Sequence, residues 1–270
     1  MPPTENPPLQ RPDRPRRPRR FFSRQHWRRW LFGSVALAGV AYFAVPWLYI
    51  HVFSEPAPPP LSFEQLDKDR SANANASITD GASQSVTTGA AGTAVAAIAN
   101  QAVDGVWTVV APSSAGYRVE ESIAGQPKTA VGRTSTVDGS FTIANSQVTA
   151  AEVNVDLASM VSDEPRRDAQ FRGRIMATDE FPVATFTLTD SFPLSGDATV
   201  EAVNVQGTLS LRGTEKPAMF TVTAKLTGDS IDIVASTVIT FADYAIPNPS
   251  IGPVSTEDNG TIEVALTAKR

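Results

Sequence analysis

Apolar and polar residues alternate along most of the chain after residue 104, in stretches of up to about ten residues. In residues 200–211, Val203, Val205 and Leu209 fall on one face while polar residues occupy the other. A period of two predicts β-strands with one buried and one solvated face, which is typical of antiparallel sheets. The predicted strands start at Trp107 and Gly116 and continue at 137–143, 151–157, 200–211, 219–226, 231–240 and 261–268.

Short turns separate the predicted strands. Glycine beside Asp or Asn supplies the positive φ of tight turns, and such pairs occur at Asp138-Gly139, within 227–230 and within 257–260. About eight strands joined by short turns favour a barrel or a sandwich. Strands of about ten residues suit an up-and-down barrel better than an immunoglobulin-like sandwich. We therefore predict an all-β fold, an eight-stranded antiparallel up-and-down barrel, with the sandwich as the alternative.

One segment, 164–189, departs from the alternation. Charged residues, among them Arg167, Asp168 and Arg172, surround isolated apolar residues at helix-like spacing, and the segment then becomes a strand that carries Phe186. The pattern predicts one short helix that closes an end of the barrel. Two interpretations stay open. The helix is either a solvated amphipathic turn or a cap whose arginines meet the polar head of a ligand at the mouth of a cavity.

A second departure lies near the N-terminus, where residues 31–50 contain no charged side chain. Twenty apolar residues match ~30 Å of hydrocarbon, and tryptophans flank the run as they do at membrane interfaces. Residues 1–30 hold nine arginines against two acids, a charge of +7, so the rest of the chain carries −12 of the total of −5. The positive-inside rule then predicts a basic disordered cytoplasmic tail over 1–30 and a transmembrane signal-anchor over 31–53. A cleaved signal is the alternative.

The remainder divides into a linker and a domain. Residues 54–103 are rich in Pro, Ala and Ser, which predicts an extracytoplasmic linker, although 93–102 could also form a short helix. The predicted barrel domain covers 104–270. The location that follows is the cytoplasmic membrane, with a single pass, the N-terminus in the cytoplasm and the domain outside.

Composition removes most catalytic chemistries from the predicted domain. The chain has no cysteine, and its two histidines, His26 and His51, flank the apolar run. Thiol chemistry, His-dependent nucleophilic catalysis and the usual zinc sites are therefore excluded there. The adjacent carboxylates Asp179-Glu180 and Glu257-Asp258 point apart and do not make a glycosidase pair. We predict no catalytic residues, no metal and no cofactor.

Several motifs occur in the order and spacing of the YceI-like family, and the chain resembles that family from about Val106 to Lys269. The motifs are VDGSF at 137–141, AEVNVDLASM at 151–160, Arg167-Asp168, FPVATF at 181–186 and VQGTLSLRGT at 205–214. The resemblance implies a lipocalin-like barrel whose elongated apolar cavity holds a polyisoprenoid or another long-chain lipid.

The resemblance and the strand phase together select the candidate site residues. The resemblance assigns five residues to the cavity wall, and phase alone adds three: Trp107, Phe141, Phe171, Phe186 and Leu209, then Phe220, Val222 and Ile233. The cavity mouth is assigned to Arg167, Asp168 and Arg172.

The expected function is a membrane-anchored extracytoplasmic protein that sequesters or carries a lipid, and not an enzyme. Its expected partners are a polyisoprenoid or fatty lipid and the membrane, without nucleic acid, and a homodimer is left open. One alternative is a structural or adhesion module with a filled core. A second is an enzyme that uses carboxylates or Tyr117 and Tyr244, but Glu152, Asp156 and Glu263 fall on the outward phase.

Overall fold

The structure is a computed structural model that describes residues 56–78, 103–194 and 200–270, with side chains to residue 74 in the first range. Of the predicted transmembrane segment 31–53, only residues 40, 44 and 48 are described, and these are helical. The rest of that segment, the tail 1–30 and most of the linker lie outside the described residues. None of the helices in the described part of the chain is both long and apolar enough to cross a membrane.

Twelve β-strands, all paired antiparallel, form one sheet within the described residues. They are β1 Gly105–Ile123, β2 Gln126–Thr134, β3 Val137–Ala144, β4 Gln147–Asp156, β5 Val161–Ser162, β6 Val183–Leu188, β7 Phe192–Pro193, β8 Val200–Leu211, β9 Thr214–Thr227, β10 Ser230–Thr240, β11 Val254–Thr256 and β12 Asn259–Lys269.

Eight of these strands close into a ring. The order is β1-β3-β4-β6-β8-β9-β10-β12, and β12 pairs again with β1. Within the ring, neighbours in space follow each other along the chain, so the predicted eight-stranded up-and-down barrel is confirmed. β2 forms a hairpin with the second half of β1 and continues to β5.

β1 covers two strands that the sequence pattern predicted separately. The patterns that start at Trp107 and Gly116 belong to one nineteen-residue strand with an irregularity between Val110 and Ser114. Its first half pairs with β3 and its second half with β2. The predicted turn at Asp138-Gly139 is wrong. Gly139 lies inside β3 with φ +154°. A Cβ there would overlap the Glu152 carbonyl, so the absence of a side chain lets β3 approach β4 closely.

The segment between β4 and β6 closes one end of the barrel, as predicted. It contains helix α2 (Pro165–Gln170), which runs directly into a π-helical turn (Phe171–Ile175). The Glu164 side chain accepts a hydrogen bond from the Arg166 backbone N–H and caps α2. A 3-10 helix (Phe241–Tyr244) between β10 and β12 lies in the same apolar cluster as Phe171. We call this end, where α2 lies, the helix end.

An element that the sequence pattern did not predict lies on the outside of the barrel. Residues 56–78, which we call the strap, consist of an extended stretch followed by helix α1 (Phe63–Ile78). Leu61 and Leu66 are buried and pack with Ala265 of β12. Part of the expected 54–103 linker therefore packs on the barrel.

Two buried carboxylates on the outward face of the barrel wall bind the strap. Glu263 is 4% exposed and accepts hydrogen bonds from the Leu61 N–H at 3.2 Å and from the Arg133 guanidinium at 3.1 Å. Asp232 is fully buried and accepts from Arg70 of α1 at 2.6 Å. The outward phase predicted for Glu263 is correct, but the strap removes it from water.

Replacing Glu263 tests how firmly this contact stabilises the barrel. Glu263→Ala leaves Arg118 and Arg133 near the wall without their carboxylate, and breaking such a pair is costly when it is shielded from water. We expect a loss of about 2 kcal/mol, because the two arginines keep some exposure. Urea unfolding of the full chain in mild detergent, followed by circular dichroism, measures it.

Glu152→Ala is the matched control, since Glu152 is an exposed glutamate that faces outward on β4. It should change the free energy of unfolding by less than about 0.5 kcal/mol. Equal effects from the two substitutions would contradict a stabilising role of the buried carboxylate.

Candidate ligand-binding site

An apolar cavity of about 410 Å³ occupies the inside of the barrel. Seven of the eight predicted wall residues line it: Phe141, Phe171, Phe186, Leu209, Phe220, Val222 and Ile233. Phe171 lies on the wall from the π-helical turn, and the other six lie there because the inward phase of β3, β6, β8, β9 and β10 points into the cavity. Phe186 and Phe220 meet edge to face with ring centroids 4.9 Å apart, an arrangement that aromatic pairs favour.

Trp107 is the exception among the predicted wall residues. It does not line the cavity. Its ring packs parallel to Phe141 with centroids 6.3 Å apart, and its indole N–H donates to the Val103 carbonyl at 2.8 Å. Trp107 therefore belongs to the buried cluster at the end opposite the helix end. The resemblance put it on the cavity wall, whereas it lies inside the barrel beyond the depth at which the cavity stops.

Inward glycines let aromatic rings lie against the wall. A Cβ at Gly207 would overlap the Phe186 ring, and one at Gly132 would overlap the Tyr117 ring. The space that Gly207 leaves is thus partly occupied by an aromatic side chain. Alanines such as Ala151 line the cavity directly, and their short side chains leave the cavity wide.

Among the described residues, polar side chains line the cavity only near the helix end. The charged ones there are Glu121, Lys128, Glu164, Arg166 and Arg167. We call this end of the cavity the mouth. A ligand with an apolar tail and a polar head would match such a division, because the tail meets hydrocarbon and the head meets charge.

Ion pairs organise the charged residues of the mouth. Arg167 contacts Glu121 at 3.0 Å and also pairs with Asp163, which Lys128 contacts at 3.2 Å. Burial works to raise the pKa of the Asp163 carboxyl, but Arg167 and Lys128 outweigh burial and hold that pKa below its ordinary value. Burial lowers the pKa of Arg167, whereas Glu121 and Asp163 raise it more, so the guanidinium stays charged.

Two of the three residues predicted at the mouth have other contacts. Asp168 is buried and accepts hydrogen bonds from the Ser162 N–H at 2.9 Å and hydroxyl at 2.6 Å. Arg172 donates to the Met160 carbonyl at 3.3 Å. Neither lines the cavity, and both instead fix the segment that closes the barrel. Only Arg167 of the predicted three lies on the cavity wall.

Tyr117 is a wall residue that the sequence reasoning named only as a catalytic alternative. Its ring stacks on Phe171 with centroids 5.0 Å apart and planes 11° from parallel. Burial raises the pKa of the Tyr117 phenol well above its ordinary value, so the hydroxyl stays protonated. Its spacing of two residues from Val119, which also lines the cavity, was the sequence signal that could have placed it inside.

The arrangement is suited to binding. Within the described residues no group of three His, Cys, Asp or Glu side chains could hold a metal ion. Of the carboxylates at the mouth, Glu121 pairs with Arg167 and Asp163 with Arg167 and Lys128, whereas Glu164 caps α2, and the wall beyond them is hydrocarbon. Such a wall offers apolar contact along its length and polar contact at one end.

Comparison with known proteins gives a family and several similar folds. A polyisoprenoid binding domain from Saccharophagus degradans is 18% identical, with a TM-score of 0.48, over 60% of this chain and 97% of that one. BcnA from Burkholderia cenocepacia is 17% identical, with a TM-score of 0.47, over 59% of this chain and 98% of that one. The YCEI protein of Campylobacter jejuni is 14% identical, with a TM-score of 0.40, over 52% of this chain and 85% of that one.

No curated protein matches the chain in sequence. The match that decides the family is to the YceI-like domain, and it extends over residues 107–268, which is nearly the whole barrel. On that match, the chain belongs to the YceI-like domain family.

Proposed function

We propose that this chain is a membrane-anchored extracytoplasmic protein that holds a polyisoprenoid or another long-chain lipid in its barrel and acts without catalysis. The observation that carries the proposal is the apolar cavity of about 410 Å³, which lies within the range of roughly 300–1,000 Å³ that is usual for small-molecule sites. Polyisoprenoid is also the ligand class in the name of the Saccharophagus degradans domain.

The driving force is the removal of hydrocarbon from water. Each methylene that enters the cavity contributes about 0.8 kcal/mol, so about ten methylenes supply the ~8 kcal/mol of micromolar binding. Aromatic rings such as Phe186 and Phe220 give the tail a rigid wall, and the mouth supplies charge for the head. A filled structural barrel would have no such space.

Filling the cavity tests this proposal directly. Ala151 lines the cavity on β4, and Ala151→Phe places a ring where the ligand tail would lie. We expect the affinity for a fluorescent polyprenyl probe to fall about tenfold or more, since a tenfold loss needs only about 1.4 kcal/mol of lost contact. Fluorescence titration of the full chain in detergent measures the affinity.

Ala150→Phe is the matched control. Ala150 is the neighbouring residue on the same strand, and its side chain is exposed on the outer face. Probe affinity should stay within about twofold of the unsubstituted chain. Unchanged binding by Ala151→Phe, with the same circular dichroism spectrum, would show that the probe does not enter the barrel.

The anchor is a separate part of the proposal and rests on the sequence of residues 1–53. An apolar run of twenty residues after a charge of +7 supports a single pass with the barrel outside. We expect the chain to stay with membranes in high salt and in alkaline carbonate, and a variant that lacks residues 1–53 to appear in the soluble fraction. Release of the full chain by carbonate would contradict the anchor.

A further inference from the structure

The strap runs along the barrel wall from the helix end towards the opposite end. The Pro58 carbonyl accepts a hydrogen bond from Arg118 at 2.6 Å, and the Pro59 carbonyl accepts one from Arg133. Those arginines adjoin the Tyr117–Gly132 pair, and Tyr117 lies in the half of β1 nearer the helix end, where it stacks on Phe171. The strap therefore begins on the side of the barrel where the cavity opens.

The other end of the strap lies at the far end of the barrel. Arg70 of α1 binds Asp232, which pairs with Thr267 near the start of β10 and the end of β12. The contact at Glu263 lies between these two points. Three contacts along the length of the strap give it one direction, set by hydrogen bonds at Pro58, Pro59 and Leu61 and by the Arg70–Asp232 ion pair.

The chain between the apolar run and the strap is short. The run ends at Ile50, and Pro58 is the first strap residue that donates or accepts a described hydrogen bond to the barrel wall. Eight residues span at most about 28 Å when fully extended. Proline stands at 56 and at 58–60, which stiffens the start of the strap. If 31–50 spans the membrane, chain length alone keeps Pro58 within about 28 Å of the end of that span.

The mouth itself carries exposed apolar side chains. Ile251, in the loop before β11, is 54% exposed and also lines the cavity. Ile123 and Val254 pair with each other across β1 and β11, are half-buried and line the cavity as well. Arg174 holds this loop by donating to the Asn248 and Pro249 carbonyls, each at 3.1 Å. An apolar rim on a fixed loop suits contact with a lipid surface.

We propose that the strap holds the barrel with its cavity mouth against the bilayer, and that Ile123, Ile251 and Val254 contact the lipid surface, so that a lipid passes directly between membrane and cavity. The inference rests on the proposed anchor and lipid cavity and adds to them an orientation. Without it, a tether of about fifty flexible residues would present all faces of the barrel to the membrane equally.

The absence of cysteine from the chain allows single labels at chosen positions. Ile251→Cys labels the mouth, and Gln147→Cys labels an exposed position in the opposite end of the barrel. Ser54→Cys labels the chain directly after the apolar run. Each full-length variant is coupled to an environment-sensitive fluorophore and reconstituted into phosphatidylcholine and phosphatidylglycerol vesicles that contain a nitroxide-labelled lipid as quencher.

We expect quenching at 251 to exceed that at 147 at least threefold, with strong quenching at 54. Equal quenching at 251 and 147 together with strong quenching at 54 would overturn the orientation and leave the anchor standing. An unquenched label at 54 would overturn the anchor and the orientation with it. Uptake of the polyprenyl probe, measured on the same samples, reports on the lipid cavity separately.

Lengthening the tether distinguishes the effect of the strap from that of the apolar rim, by which we mean Ile123, Ile251 and Val254. A Gly/Ser insertion of about 30 residues after residue 54 adds about 30 Å of reach without altering the strap contacts. Quenching at 251 should then fall towards the level at 147. If quenching at 251 is unchanged, the rim orients the barrel by itself and the role given to the strap is overturned.

Transfer kinetics test the functional consequence. Ile251→Asp places a charge on the rim and should slow movement of the polyprenyl probe from vesicle to barrel at least fivefold, while Gln147→Asp leaves the rate unchanged. Equal transfer rates for the two variants would contradict direct exchange through the rim and favour delivery from solution or by a carrier protein.

Discussion

The backbone pairing of β12 with β1 is the constraint on which the rest of the structure depends. It turns an open antiparallel sheet into a ring, so every strand acquires an inside and an outside. An eight-stranded ring is just wide enough for side chains to fill or for one ligand to enter. Here aromatic rings lie against the wall, alanines leave space between them, and a cavity of about 410 Å³ remains. The unusual length of β1 serves the closure, because one strand pairs with β3, β2 and β12 in turn.

The outer face of the barrel also makes specific contacts, in this case with the strap. In most antiparallel barrels that face is exposed to solvent. Here the strap covers β10 and β12 and buries Glu263 and Asp232 beneath it. A buried carboxylate requires a partner, and Arg133 and Arg70 supply it. Polar contacts of this kind are directional, so they select one placement of the strap, whereas the few apolar contacts of Leu61 and Leu66 would tolerate several.

The two ends of the cavity differ in chemistry for a structural reason. The far end is packed with apolar side chains, among them Trp107 against Phe141. The helix end is built from loops and a short helix, where backbone and charged groups reach solvent. Glu121, Lys128, Asp163 and Arg167 are paired with one another there, which offsets part of the cost of placing charge beside hydrocarbon. The mouth can therefore be polar without making the interior polar.

The sequence by itself determined the class of fold and most of the cavity wall. Period-two alternation is a local property, and it correctly predicted β8, β9, β10 and β12 and the inward phase of Phe220, Val222 and Ile233. Only the tertiary structure decided which charged residues of 164–189 face the cavity. Asp168 and Arg172 share a helical segment with Arg167 but contact Ser162 and Met160, which local spacing does not reveal. The strap was hidden for the same reason, since its composition is that of a linker and its order comes from contacts between residues far apart in sequence. Leu61 and Glu263 are 202 residues apart, and Arg70 and Asp232 are 162 apart.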